Sequence, residues 1–214
     1  MRQFLRSLPV FADFVGEFDI AALPDDPVVL FEQWLRDAVA AGVPHPHAMT
    51  LSTCDADGAP DARVLILKDL NERGWWFATN GDSPKGRQLM AHPQAALTFY
   101  WPLLARQVRV RGPVTPGPAD ANRADFLARG LGARAVAFAS AESQPLDDQA
   151  AGKAAIDSAR QRLSDDPELV SPSWSTYAVA AQVIEFWHAD PDRIHTRVQY
   201  TRHADRWKHT LLWP

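Results

Sequence analysis

The chain has 214 residues, one cysteine, eight tryptophans and a formal net charge of −4. That length fits one domain, the lone Cys54 excludes an intrachain disulfide framework or a multi-cysteine metal site, and no apolar run approaches the roughly 20 residues of a membrane helix. The acidic balance offers nucleic acid no global field, and Asp13, Glu17 and Asp19 interrupt the N-terminal apolar run, which argues against export and for a cytoplasmic protein.

Residues 1–25, with Phe4, Phe11, Phe14 and Phe18 scattered among acids, read as an arm that packs on something. Asp26 and Pro27 open a helix in which Val28, Phe31, Leu35, Ala38 and Val39 form the apolar stripe, and Gly42 ends it. The period then changes to two. Ala48–Cys54, Arg63–Lys68 and Trp75–Asn80 are strands separated by the turn sequences Asp55–Gly58 and Asn71–Gly74. Cys54 reads as a small buried hydrophobe. A short helix over about Ser83–His92 precedes strands at Gln94–Trp101 and Arg106–Val114. Residues 118–165 are mostly helical, broken at Gly130-Leu131-Gly132 and at Ser143-Gln144-Pro145. Strands resume at Tyr177–Trp187, Ile194–Tyr200 and Arg206–Leu212. The expectation is a mainly β fold of seven or eight antiparallel strands with inserted helices, closed or split as a barrel to remove its edges. Residues 26–214 form one domain in this reading.

Ser83 as N-cap, Pro84 as first helical residue and Lys85 in the first turn make a local seat for an anion such as phosphate; an ordinary capped helix with a solvated lysine has the same sequence. Arg63 and Lys68 bracket Val64, Leu65, Ile66 and Leu67. Their five-residue separation puts them on opposite faces of a regular strand, so a shared ligand requires a twist between them. Gln107, Arg109 and Arg111 share one face of their strand. Arg193, His195 and Arg197 follow Trp187 and, on a strand, share a face at steps of about 6.6–6.8 Å, with Ile194, Val198 and Tyr200 turned to a core. Such a row calls for an anionic or aromatic neighbour, unless it is a solvated edge. His45-Pro46-His47 has no nearby carboxylate, so no metal site is expected. Nucleophile elbows and the Gly-rich nucleotide motifs of parallel sheets are missing.

In this order, Arg63–Lys68 (RVLILK), Phe77–Lys85 (FATNGDSPK), Arg106-Gln107-Val108, Glu185-Phe186-Trp187, Arg193–Arg197 (RIHTR) and Trp207-Lys208 resemble the pyridoxamine 5′-phosphate oxidase family over roughly residues 26–214. The resemblance implies a split β-barrel homodimer with FMN at the subunit interface. It also implies oxidation of pyridoxine or pyridoxamine 5′-phosphate, with O2 reoxidising the flavin to give H2O2. Carried over by position, flavin contacts fall on Arg63, Val64, Leu65, Ile66, Leu67, Lys68, Ala78, Thr79, Lys85, Gln107, Ser143, Trp187 and Arg197, and the helix start at Ser83 adds its dipole at the phosphate. Substrate contacts fall on Lys68, Arg129, Arg193 and His195, with Arg193 and His195 as the catalytic pair.

The sequence departs from that family in places. Pro84 stands where a second basic residue is usual, and Glu142 where glutamine is usual. Asp125 and Ala133 replace the tyrosine and serine that serve the substrate phosphate. Two other readings therefore stand beside the first. One is an oxidase of the same family with a changed substrate, as in phenazine biosynthesis. The other is a flavin- or deazaflavin-binding split barrel without turnover, against which the retention of Arg193 and His195 argues.

Overall fold

The structure is a computed structural model that describes residues 1–8, 16, 18–139 and 141–214. Helices α1 (Arg2–Ser7) and α2 (Pro27–Ala40) precede strands β1 (Ala48–Cys54), β2 (Pro60–Ile66), β3 (Asp69–Asn71) and β4 (Gly74–Asn80). Helix α3 (Pro84–Ala91) leads to β5 (Gln94–Trp101) and the long β6 (Arg106–Pro116). Three helices follow, α4 (Ala119–Ala128), α5 (Leu131–Ala139) and α6 (Gln149–Asp165). The chain closes with β7 (Trp174–Val179), β8 (Val183–His188), β9 (Thr196–His203) and β10 (Arg206–Leu211).

All pairings among these strands are antiparallel. One path runs β10-β9-β8-β6-β5-β1-β2, and a second arm joins β3, β4 and β7. The strand β6 belongs to both: Arg106–Arg111 pairs with β8, while Val114–Pro116 pairs with β7. This curls the sheet into the split barrel expected from the alternating strands and tight turns.

Among the described residues ten strands form rather than seven or eight, because Tyr177–Trp187 divides into β7 and β8 and the short β3 forms beyond the end of β2. The stretch Tyr177–Trp187 is interrupted between β7 and β8. There Ala180 donates to the Pro113 carbonyl and Gln182 to the Arg111 carbonyl, at 2.9 and 2.8 Å. Gly112 makes that close approach possible, since a Cβ on it would lie 2.0 Å from the Ala180 oxygen. Likewise, Arg63–Lys68 is not one strand. Beyond Ile66, the Leu67 N–H donates to His47 in the first arm and the Lys68 N–H to Trp76 in the second. This is the twist that a shared ligand for Arg63 and Lys68 requires.

Helix α2 fills the barrel. The Asp26 carboxylate accepts from the Val28 N–H at 2.9 Å, and Pro27 occupies the first turn without losing a bond. Its buried face is Leu30, Phe31, Trp34 and Ala38, rotated from the expected stripe, so that Val39 is exposed. Phe31 packs edge-on to Trp75 at 4.3 Å between centroids, and Trp34 does so against Phe186 at 5.2 Å. A second, smaller core joins Phe126, Ala135, Ala159, Leu163 and Trp174, fixing α4–α6 over the outer end of β7.

Five of the eight tryptophans (Trp34, Trp75, Trp76, Trp101 and Trp174) are buried. Trp213 is 88 % exposed. Within the expected arm, Arg2–Ser7 is helical, and Phe18 packs on Trp34 at 4.9 Å. Phe11, Phe14 and Glu17 lie outside the described residues. Cys54 is exposed, not buried, because it ends β1 at a turn. Among the described residues, no helix is long and apolar enough to cross a membrane.

Candidate active site

Among the described residues strand β2 is the edge of its sheet and pairs with β1 alone, which leaves one row of its peptide groups without a strand partner. Against that edge lies a cleft of about 510 Å³, lined by Val64, Leu65, Ile66 and Lys68 from one side and by Ala78, Thr79 and Asn80 from β4. Arg129, Val136, Ala137 and Glu142 from the α4–α6 segment, and Trp174 at the start of β7, close it. A neighbouring cavity of about 380 Å³ shares Val64, Leu65 and Glu142 as walls and adds Arg63, Lys85 and Ser143. Of the residues carried over from the resemblance, these two cavities bring together Arg63, Val64, Leu65, Ile66, Lys68, Ala78, Thr79, Lys85, Ser143 and Arg129. Leu67 instead lines a separate pocket with Phe31, Leu35 and Leu70, because the turn out of β2 points it the other way.

The anion seat forms as its local sequence suggests. Ser83 caps α3, its hydroxyl oxygen accepting from the Gly86 N–H at 3.3 Å while its O–H donates to the Asn80 carbonyl at 2.6 Å. Lys85 is 4 % exposed and donates to Ser83 Oγ at 3.3 Å and to the Glu142 carboxylate. Arg63 donates to Thr53 Oγ1 at 2.6 Å and to Gln88 Oε1 at 3.3 Å, and pairs with Asp61. The Gln88 amide and then the Arg63 guanidinium hold the Asp61 carboxyl below its ordinary value.

At the other end of the cleft, Lys68 Nζ lies 3.2 Å from Asp125, whose second oxygen accepts from Trp174 Nε1 at 2.8 Å. The Arg129 guanidinium stacks 4.2 Å from the centre of the Trp174 ring and donates to the Ala133 carbonyl at 3.3 Å. Burial pulls the Arg129 pKa down, and the nearby Asp125 charge opposes that. Nothing in the tryptophan pattern marked Trp174 for this place; its signal is the contact it makes 49 residues away.

Gln107, Trp187, Arg193, His195 and Arg197 are not in this cleft. They gather on β6, β8, the β8–β9 connection and the start of β9, beside one another rather than beside Lys85. Gln107 sits opposite Trp187, and Trp187 opposite Arg197, in the strand register. Arg193 and His195 do not lie on a strand, since β9 begins only at Thr196, and Ile194 is 70 % exposed instead of facing the core. The reason is Asp190, whose side chain accepts from the Asp192 and Ile194 N–H groups and turns the chain before pairing resumes. Arg193 is held at φ +66°, a left-handed conformation that is uncommon for a residue with a side chain.

The His195 ring lies 4.9 Å from that of Trp187, and its Nδ1 accepts from the Asp190 N–H at 3.0 Å. In the neutral ring the proton is therefore on Nε2. Arg197 donates through Nε and Nη2 to Glu185 Oε1 at 3.0 and 2.8 Å, and through Nη1 to the Trp213 carbonyl at 2.9 Å. Glu185 is 4 % exposed, and its other oxygen accepts from Arg109. Arg109, which shares a strand face with Gln107 and Arg111, is thus half of a clamp on Glu185, itself a residue whose role the sequence left unmarked.

Two family models match the chain. One, described as pyridoxamine 5′-phosphate oxidase, covers residues 35–163; the other, described as the pyridoxine 5′-phosphate oxidase C-terminal dimerisation region, covers residues 174–214. A pyridoxine/pyridoxamine 5′-phosphate oxidase of Burkholderia lata is 43 % identical over 89 % of this chain and 88 % of its own. One of Pseudomonas paraeruginosa is 42 % identical over 91 % of each chain. Among solved structures, PhzG of Burkholderia lata in complex with tetrahydrophenazine-1-carboxylic acid superposes with a TM-score of 0.86. It has 29 % identity and covers 94 % of this chain and 99 % of that one. The chain belongs to the pyridoxamine 5′-phosphate oxidase family.

Proposed function

We propose that this protein is an FMN-dependent oxidase that acts as a homodimer on a small ring substrate, pyridoxine or pyridoxamine 5′-phosphate in the first instance. The observation that carries the reading is the cleft along the free edge of β2, with the buried Lys85 and the Ser83-capped helix at one end and Lys68 and Arg129 at the other. This donor set fits the cofactor: a cationic, helix-capped seat suits a phosphate, and an unpaired strand edge suits the polar rim of a planar ring. When bound, FMN supplies the hydride acceptor, and O2 reoxidises it to give H2O2.

The chain's own residues do the rest. Lys85, Ser83 and Arg63 hold the phosphate, and the β2 edge with Ala78 and Thr79 orients the ring. Gln107, Trp187 and Arg197 line neither cavity of their own protomer, so in this reading the partner subunit's Gln107, the partner subunit's Trp187 and the partner subunit's Arg197 complete the cleft. The match of residues 174–214 to a dimerisation region supports this arrangement. So does the exposure of Val64 on the cleft wall and of Leu211 and Trp213 near the C-terminus. In the same way the partner subunit's Arg193 clamps the substrate ring and the partner subunit's His195 orients it.

A second reading, an oxidase of the same family with another substrate, is favoured by Asp125, which sets a carboxylate against Lys68 where a substrate phosphate would need that cation. The likeness to PhzG points the same way. The test is to add pyridoxamine 5′-phosphate under air to protein loaded with FMN. Peroxide with aldehyde formation supports the first reading. No turnover there, with turnover on a dihydrophenazine carboxylate, selects the second. Failure to take up FMN would sink both.

A further inference from the structure

Lys85 and Glu142 form an ion pair of unequal members. The Lys85 side chain is 5 % exposed and that of Glu142 39 %. A buried ammonium has no water to fall back on and needs an anion; a carboxylate at the surface can turn into solvent at little cost. Ser83 Oγ, the other acceptor within reach of Lys85, already serves the Gly86 N–H. Glu142 comes from the segment between α5 and α6, where Gln144 donates to the Ala141 carbonyl at 2.9 Å and Ser143 takes φ +65°.

The charges that face this cavity are Lys85 and Arg63 against Glu142 and Asp61. They balance, so an incoming phosphate meets no net positive field until one carboxylate leaves. Asp61 is held by both Arg63 and Gln88, whereas among the described residues the Glu142 side chain is tied to Lys85 alone. Glu142 is therefore the group that yields.

We propose that the Glu142 carboxylate and the cofactor's phosphate compete for Lys85, so that Glu142 sets how strongly this protein prefers a phosphorylated flavin over an unphosphorylated one. The inference rests on the FMN reading above. Two anions cannot share one buried ammonium without repulsion, so loading a phosphate here expels Glu142 to solvent. Riboflavin, which has the same ring and no phosphate, leaves the pair in place.

The experiment titrates the full-length protein, stripped of flavin, with FMN and separately with riboflavin, following flavin fluorescence in wild type and in Glu142→Gln. Glutamine keeps the size and an acceptor oxygen for Lys85 but removes the competing charge. The expected result is about tenfold tighter FMN binding in the variant, with riboflavin affinity the same in both proteins. Equal FMN constants in the two proteins, or an equal gain for riboflavin, would overturn the competition while leaving the cofactor reading intact. Uptake of neither flavin by either protein would overturn the cofactor reading itself, and this inference with it.

Discussion

Asp125 holds Lys68 and Trp174 at once, with its carboxylate 3.2 Å from the Lys68 ammonium and 2.8 Å from the Trp174 indole nitrogen. The side chain is 17 % exposed, so the pair is sheltered from the screening that weakens surface ion pairs. A phosphorylated substrate must then share Lys68 with a fixed carboxylate. Asp125→Asn keeps an acceptor for Trp174 and releases the lysine. The variant should raise kcat/KM for pyridoxamine 5′-phosphate about tenfold, and leave that for unphosphorylated pyridoxamine unchanged. Equal changes for both substrates would place Asp125 outside phosphate selection.

Arg193 is presented by a turn in a left-handed conformation, a geometry maintained by Asp190. Strain kept at one residue calls for a use of its side chain. Arg193→Ala should lower kcat/KM by about a hundredfold through loss of substrate orientation, while the FMN absorbance of the purified protein is retained. Loss of the flavin instead would make Arg193 a cofactor ligand.

The parts of this fold that were legible in the sequence are the ones decided within a few residues. Asp26-Pro27 and Ser83-Pro84-Lys85 specify helix starts by local chemistry, and both form as read. The alternation of Arg193, His195 and Arg197 was misleading because a turn and a strand can carry the same residues. The informative signal was Asp190, whose side-chain bonds to backbone N–H groups favour a turn over a ladder. Contacts between distant segments left no such trace. Glu185 meets Arg109 76 residues away, and Asp125 meets Trp174 49 residues away, so neither pairing follows from spacing. The division of the candidate site into two groups has the same origin, since it depends on how β6 passes from one arm of the sheet to the other.

Glu185 positions Arg197. Two of the arginine's N–H groups converge on one buried oxygen, and Arg109 occupies the other. In Glu185→Gln an amide NH2 would face guanidinium donors and the charge would be gone. Stability should fall by about 1–3 kcal/mol in urea unfolding. The FMN dissociation constant should also rise, because Arg197 loses its fixed orientation. Arg197→Lys should reproduce the weaker flavin binding, since an ammonium cannot make the same fork. Unchanged flavin affinity in both variants would confine Glu185 to a structural role.

His188 sets an acid limit on stability. It is 3 % exposed, with the Phe18 and Trp34 rings beside it at 6.2 and 6.4 Å. Burial, and then the Arg106 charge, lower its pKa from 6.5 to about 4, with Asp190 opposing. The unfolded chain therefore binds a proton between these values that the folded chain refuses. The contribution of this group is fully present above pH 6.5 and is lost as the pH falls toward 4, an amount of about 3 kcal/mol. Urea unfolding should show stability rising from pH 4 to 6.5 with a slope that His188→Gln flattens, whatever that substitution does to stability at pH 7. An unchanged slope between pH 4 and 6.5 in the variant would overturn this role of His188, since Asp61, whose lowered pKa acts in the same direction, does so only below its ordinary value of 3.8.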